Sequence, residues 1–163
     1  MRDHNIVIEP LLADHPSAVA AVRGYLAELV ALGAVSAQAP ADDPADLAKL
    51  SPPSGAFLVA RLGPDGTIVG CGGVRTLEHG IGEVKRMWVD ASVRGQGLGR
   101  RLLAALERES QRLGHHTVRL DTSDVLVTAI AMYERAGYRA IAPYNDNPDA
   151  KVFFEKTLDT GPS

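Results

Sequence analysis

The chain has one cysteine, one tryptophan and only 5% aromatic residues among its 163 positions. A lone thiol, Cys71, excludes an internal disulfide, and no Cys/His spacing of the zinc-binding type occurs, so a reducing cytoplasm is the expected setting. No charged segment leads into a short apolar core, and no apolar run approaches the ~18 residues that a membrane helix requires. Export and membrane insertion are therefore not expected. Strong charge of either sign is also missing: 17 basic against 20 acidic side chains leave −3, which argues against non-specific nucleic-acid binding. What remains, 45% apolar and 23% charged residues, is the composition of a soluble globular protein.

The basic residues are unevenly placed. Thirteen arginines outnumber four lysines, and five of them gather at Arg94, Arg100, Arg101, Arg108 and Arg112. The last three read as the solvated face of a helix. Arg94 and Arg100 flank glycines, where they are better placed to meet phosphates.

Residue patterns predict the elements. His4–Leu11 reads as a strand. Asp14 and Pro16 open a helix in which Val19, Val22, Leu26, Leu29 and Val30 keep helical spacing up to a stop at Gly33. A loop over Ala34–Pro44 and a short helix over Asp43–Leu50 follow. Strands over Ala56–Leu62 and Thr67–Leu77 flank the turn Gly63-Pro64-Asp65-Gly66. A turn at His79-Gly80 leads to a strand over Glu83–Val89, then to a helix from Leu98 that stops at Gly114. A strand over Thr117–Thr122, a helix capped by Asp124 and ended by Gly137, and strands over Tyr138–Ala142 and Val152–Leu158 complete the order, with a frayed tail. The succession β-α-α-β-β-β-α-β-α-β-β predicts a single α+β domain over 1–163, with one right-handed β-α-β crossover in its middle.

At that crossover lies Arg94-Gly95-Gln96-Gly97-Leu98-Gly99-Arg100. Glycines at alternate positions let the backbone curl until its N–H groups converge on an anion at a helix N-terminus. The run lacks the Lys-Ser/Thr of a Walker loop, and its G-x-G-x-G differs from the G-x-G-x-x-G of a dinucleotide fingerprint. Asp121 lies near the distance at which that fingerprint carries its acid.

Arg94-x-x-Gly97-x-Gly99 resembles the Q/R-x-x-G-x-G/A motif of the GNAT N-acetyltransferase superfamily. Val84–Val89 resembles that family's fourth strand, and Ala129–Tyr138 resembles its A-x-x-L-Y-x-x-x-G-F/Y helix end. The resemblance implies a mixed, mostly antiparallel sheet of about seven strands, splayed between the fourth and fifth and flanked by about four helices. It implies acetyl-CoA as donor, and no metal. Gly95, Gln96, Gly97, Gly99 and Arg100 would offer N–H groups to the pyrophosphate, with Arg94 opening the loop and the helix dipole adding positive potential. Met87, Trp88 and Val89 would pair with the pantetheine arm as an added strand does. Ala129 would lie against the cofactor. Leu126 stands where many relatives carry asparagine.

The implied activity is direct transfer of an acetyl group to a primary amine in a ternary complex; the alternative is a non-catalytic acyl-CoA-binding module. Transfer requires a deprotonated amine, donors for the tetrahedral oxyanion, and a proton or hydrogen bond for the departing thiolate. Tyr133 matches the family tyrosine near the acetyl-CoA sulfur and is the expected acid. Glu83, at the start of the fourth strand, is the expected base, directly or through a water, with partial burial favouring its protonated form. His79 is the rival, because imidazole titrates near neutrality. His115 and His116 are expected at the surface, and Cys71 in plain packing. The acceptor side falls to residues 24–54 and 144–148, where Asp42, Asp43, Asp46 and Asp146 would attract a cationic amine. A small-molecule amine, no nucleic acid and no membrane are the expected partners, and pairing through sheet edges would give a homodimer.

Overall fold

The computed structural model describes residues 5–36 and 40–158; the expected strand start at His4, part of the Ala34–Pro44 loop and the tail after Leu158 lie outside them. In chain order the elements are β1 (Ile6–Pro10), α1 (Pro16–Ala31), α2 (Pro44–Lys49), β2 (Gly55–Leu62), β3 (Ile68–Glu78), β4 (Ile81–Val89), α3 (Leu98–Arg112), β5 (Thr117–Thr122), α4 (Val127–Arg135), β6 (Arg139–Ala140) and β7 (Val152–Thr157). Seven strands form one sheet in the order β1-β2-β3-β4-β5-β7-β6. Every neighbouring pair is antiparallel except β4 with β5, which α3 joins as the crossover. The mixed, mostly antiparallel sheet and its four helices are those the motifs implied.

Local chemistry differs from expectation at several ends. α1 is capped by His15, whose Nδ1 accepts from the Ser17 N–H at 3.0 Å, rather than by Asp14. α4 begins after Leu126 with no side-chain cap; Ser123, not Asp124, accepts the nearby Val125 N–H at 3.3 Å. The strand expected over Tyr138–Ala142 shortens to Arg139–Ala140, while β4 starts two residues early at Ile81.

α3 is the main buttress of the sheet. Leu98, Leu102, Leu103 and Leu106 bury one face, while Arg101, Arg108 and Arg112 stay exposed as their spacing predicts. Leu102 and Leu106 are fully buried, and each such leucine stabilises the fold by about 1.5–3 kcal/mol. A second apolar cluster, with Val19, Val22, Leu47, Leu50 and Phe57, seats α1 and α2 on the sheet.

One irregularity shapes everything downstream. Cys71 faces Trp88 but Gly73 faces Lys85, so β4 advances three residues while β3 advances two. The bulge places Arg86 at φ +58, a left-handed conformation that costs an L-residue about 1–2 kcal/mol.

Candidate active site

β4 and β5 pair only at Ile81–Thr117, Gly82–Val118 and Glu83–Arg119. Beyond Glu83 they part, and a cleft of about 420 Å³ opens between them, lined by α1, α2, both strands and α4. Its size suits a small ligand.

Tyr133 reaches the cleft from α4. Its ring packs edge-on against Tyr138, with centroids 5.9 Å apart, and tilted against Phe154 at 6.1 Å. Among the described residues its hydroxyl has no hydrogen-bond partner, and the same holds for Tyr25 of α1, which lines the same cleft. Buried hydroxyls without partners are uncommon and point to a ligand. Burial, and after it the Asp121 charge, raises the pKa of Tyr133, so the hydroxyl is a neutral donor at ordinary pH. Burial is also the main cause that raises Tyr25.

The glycine loop stands at the start of α3. Gly95 and Gly97 sit at φ +82 and +81, which only glycine adopts readily. Gly97 caps α3 with no side chain, no acid occupies the first turn, and the N–H groups of Gly95, Gln96 and Gly97 meet no acceptor among the described residues. Uncapped amides at a positive helix end form an anion cradle that fits a pyrophosphate. Gly99 serves differently: a Cβ there would lie 2.7 Å from Met132 Sδ, so its absence lets α3 close on the helix that carries Tyr133. Arg100 makes no ion pair among the described residues. Arg94 is engaged, donating to the Val89 carbonyl at 2.9 Å and pairing with Glu28.

Of the residues picked from sequence, Met87, Ala129 and Tyr133 meet on the cleft wall; Trp88, Val89 and Arg94–Arg100 lie outside it. Glu83 is also outside. Only 1% exposed, it accepts from Arg75 Nε at 2.7 Å on one oxygen and from the Tyr144 hydroxyl at 2.6 Å on the other. Burial, followed by the Glu83 bond and charge, raises the Tyr144 pKa and keeps that donor protonated. His79 is exposed in the β3–β4 turn. His115 departs from its expected surface place: it is 5% exposed, with Nδ1 2.5 Å from Ser110 Oγ and Nε2 2.8 Å from Thr76 Oγ1. His116 is exposed and Cys71 is packed, as expected; burial pushes the Cys71 thiol up to about 12.

The expected acceptor spans do reach the cleft, through Tyr25, Leu26, Asp46 and Lys49, and through Asn147. Asp42 instead pairs with Arg23 at 2.9 Å, and Asp43 caps α2. Two wall residues, Arg86 and Asp121, are given no role by the sequence. Asp121, its side chain 8% exposed, accepts from Asn145 Nδ2 at 2.7 Å and faces Lys85 Nζ at 4.0 Å. Its one signal is a carboxylate inside the short strand Thr117–Thr122.

The family model described as Acetyltransferase (GNAT) family matches residues 25–138. The chain belongs to the GNAT acetyltransferase family. An IAA acetyltransferase of Azospirillum brasilense is 41% identical over 117 residues, 69% of this chain and 74% of that protein. An uncharacterised N-acetyltransferase of Schizosaccharomyces pombe is 36% identical over 107 residues, 65% of each chain. Among solved structures, an acyl-CoA N-acyltransferase from Klebsiella pneumoniae superposes with a TM-score of 0.77 at 34% identity, covering 96% of this chain and all of the other. GNAT enzymes use acetyl-CoA. Among the described residues no group of three His, Cys, Asp or Glu side chains is arranged to hold a metal ion. No described helix is long and apolar enough to cross a membrane.

Proposed function

We propose that this chain transfers an acetyl group from acetyl-CoA to the primary amine of a small molecule, by direct attack with both substrates bound. The observation that carries the reading is the unpartnered Tyr133 hydroxyl on the wall of the β4–β5 cleft, on a helix packed through Gly99 against the open glycine loop.

Gly95, Gln96, Gly97 and the first turn of α3, with Arg100 beside them, would hold the pyrophosphate. The pantetheine arm would run along Met87–Val89 and past Ala129. The amine nitrogen adds to the thioester carbonyl carbon to give a tetrahedral oxyanion; this collapses with cleavage of the C–S bond, and the thiolate leaves. Tyr133, neutral and buried, donates to that sulfur. The proton lost by the amine goes to a carboxylate. Asp121 fits that role best, because it lines the cleft on β5 whereas Glu83 does not. Glu83 holds Arg75 and Tyr144 in position. Its action as the base through a bridging water is the second reading, favoured by its place at the end of the β4–β5 pairing.

Release of free CoA thiol over a panel of amines tests the reading. Acetyl-CoA at 100-fold over its Kd should also stabilise the protein by about 2.7 kcal/mol. Stabilisation with no thiol release from any amine would identify a binding module instead; neither effect would overturn the acetyl-CoA reading altogether. Sedimentation of the same sample reads the expected homodimer.

A further inference from the structure

Two described residues other than glycine have a left-handed backbone, Asp65 and Arg86. Asp65 lies in a surface hairpin turn, where aspartate is a common occupant. Arg86 lies in the β4 bulge, on the cleft wall. Strain at a site wall calls for a return, and an observed backbone outlier is a fair starting point for a functional hypothesis.

The guanidinium is poorly satisfied. Of its five N–H donors, one is engaged, with Arg86 Nη1 donating to the Ala41 carbonyl at 3.2 Å. No carboxylate among the described residues lies within ion-pair distance; Asp46 and Asp43 act on it only from further away. Burial is the largest influence on this group and disfavours its charge, so an anion bound there would be strongly rewarded. On the opposing strand β5 stands Asp121, paired with Lys85, and Asp149 lies in the loop before β7; Lys49 of α2 has no ion pair among the described residues.

We infer that the acceptor amine also carries a carboxylate, and that Arg86 binds this carboxylate while Asp121 faces the amine. The inference rests on the acetyl-transfer reading above. A planar fork with free donors matches a carboxylate bidentately. Arg86 is then a specificity-determining residue at the acceptor end, outside the bond-making chemistry.

Matched trios test it: an amino acid, its amide and its decarboxylated amine, for several chain lengths, with one aminoalkylphosphonate. Initial rates of thiol release are compared for the native protein, Arg86→Gln, Arg86→Lys and Arg86→Gly. The glycine variant suits φ +58 and keeps the test valid should the glutamine variant fold poorly. The expected result is a preference for acid over amide of about tenfold or more, the loss expected when a charged donor's partner is removed. Arg86→Gln and Arg86→Gly should erase it through the acceptor KM, Arg86→Lys should restore part of it, and acetyl-CoA affinity should stay unchanged. Amides or bare amines accepted as well as acids, a preferred phosphonate, or equal losses on acid and amide would overturn it. Should no amine release thiol, the acetyl-transfer reading fails separately. Calorimetry on the CoA-bound protein then decides: amino acids binding the native protein but not Arg86→Gly would uphold the carboxylate site, and equal or absent binding would overturn it.

Discussion

Tyr144 claims one oxygen of Glu83 from a distant loop: its hydroxyl, 61 residues further along the chain, donates to Glu83 Oε2 at 2.6 Å. Asp121, on β5, lines the cleft together with Asp46 and Asp149. Asp121→Asn should lower kcat/KM by about 10²–10⁴-fold. Glu83→Gln should cost less in rate and more in thermal stability, since it disrupts a buried ion pair. The reverse ranking in paired rate and unfolding measurements would return the base to Glu83.

Removing either cleft hydroxyl should separate stability from turnover. Tyr133→Phe loses no bond that the folded chain makes, so its unfolding free energy should stay within about 1 kcal/mol of native or rise, because a buried unpaired polar group is costly. Its kcat should fall about 10- to 100-fold with acetyl-CoA affinity nearly intact. Tyr25→Phe should show the same stability, its kinetic loss falling on the acceptor KM. Unchanged turnover for Tyr133→Phe would remove it from the chemistry.

Gly97→Ala places a Cβ at φ +81, so about 1–2 kcal/mol of strain is expected. No side chain crowds that position, so the fold should survive. Acetyl-CoA affinity, read by titration calorimetry, should drop with the loop's geometry.

His115 gives the protein a pH dependence unrelated to catalysis. Burial, then the His116 charge, lowers its folded pKa below the ordinary 6.5. The unfolded chain therefore takes up the proton first as pH falls. The stabilising contribution is complete above the unfolded value and is lost as pH falls from there towards the folded one. Melting temperatures recorded from about pH 8 down to about pH 5 should decline more steeply for the native protein than for His115→Gln, which lacks that titration. Parallel declines would count against it.

The glycine loop, the Tyr133 helix end and the strand order were legible because each is written in contiguous residues. Arg86 was not. A one-residue bulge depends on how β4 pairs with β3, and nothing in Lys85-Arg86-Met87 announces a left-handed backbone. Asp121 reads as one polar residue in a strand until the parting from β4 turns that strand into a wall. His115 follows a helix stop, where surface is the sensible guess, but Thr76, 39 residues away, and Ser110 claim both ring nitrogens. Glu83 was found from its position in the strand, while its Tyr144 partner came from a distant loop.

The brief pairing of β4 with β5 has a further consequence. A sheet that divides in its middle has two raw edges there, with unpaired amides and carbonyls of the kind that recruit foreign strands and promote aggregation when they lie at a sheet's rim. Here they face one another across a slot walled by α1 and α4. A slender, flexible arm carrying its own amide groups, such as the pantetheine proposed above, would satisfy both edges at once and complete the sheet.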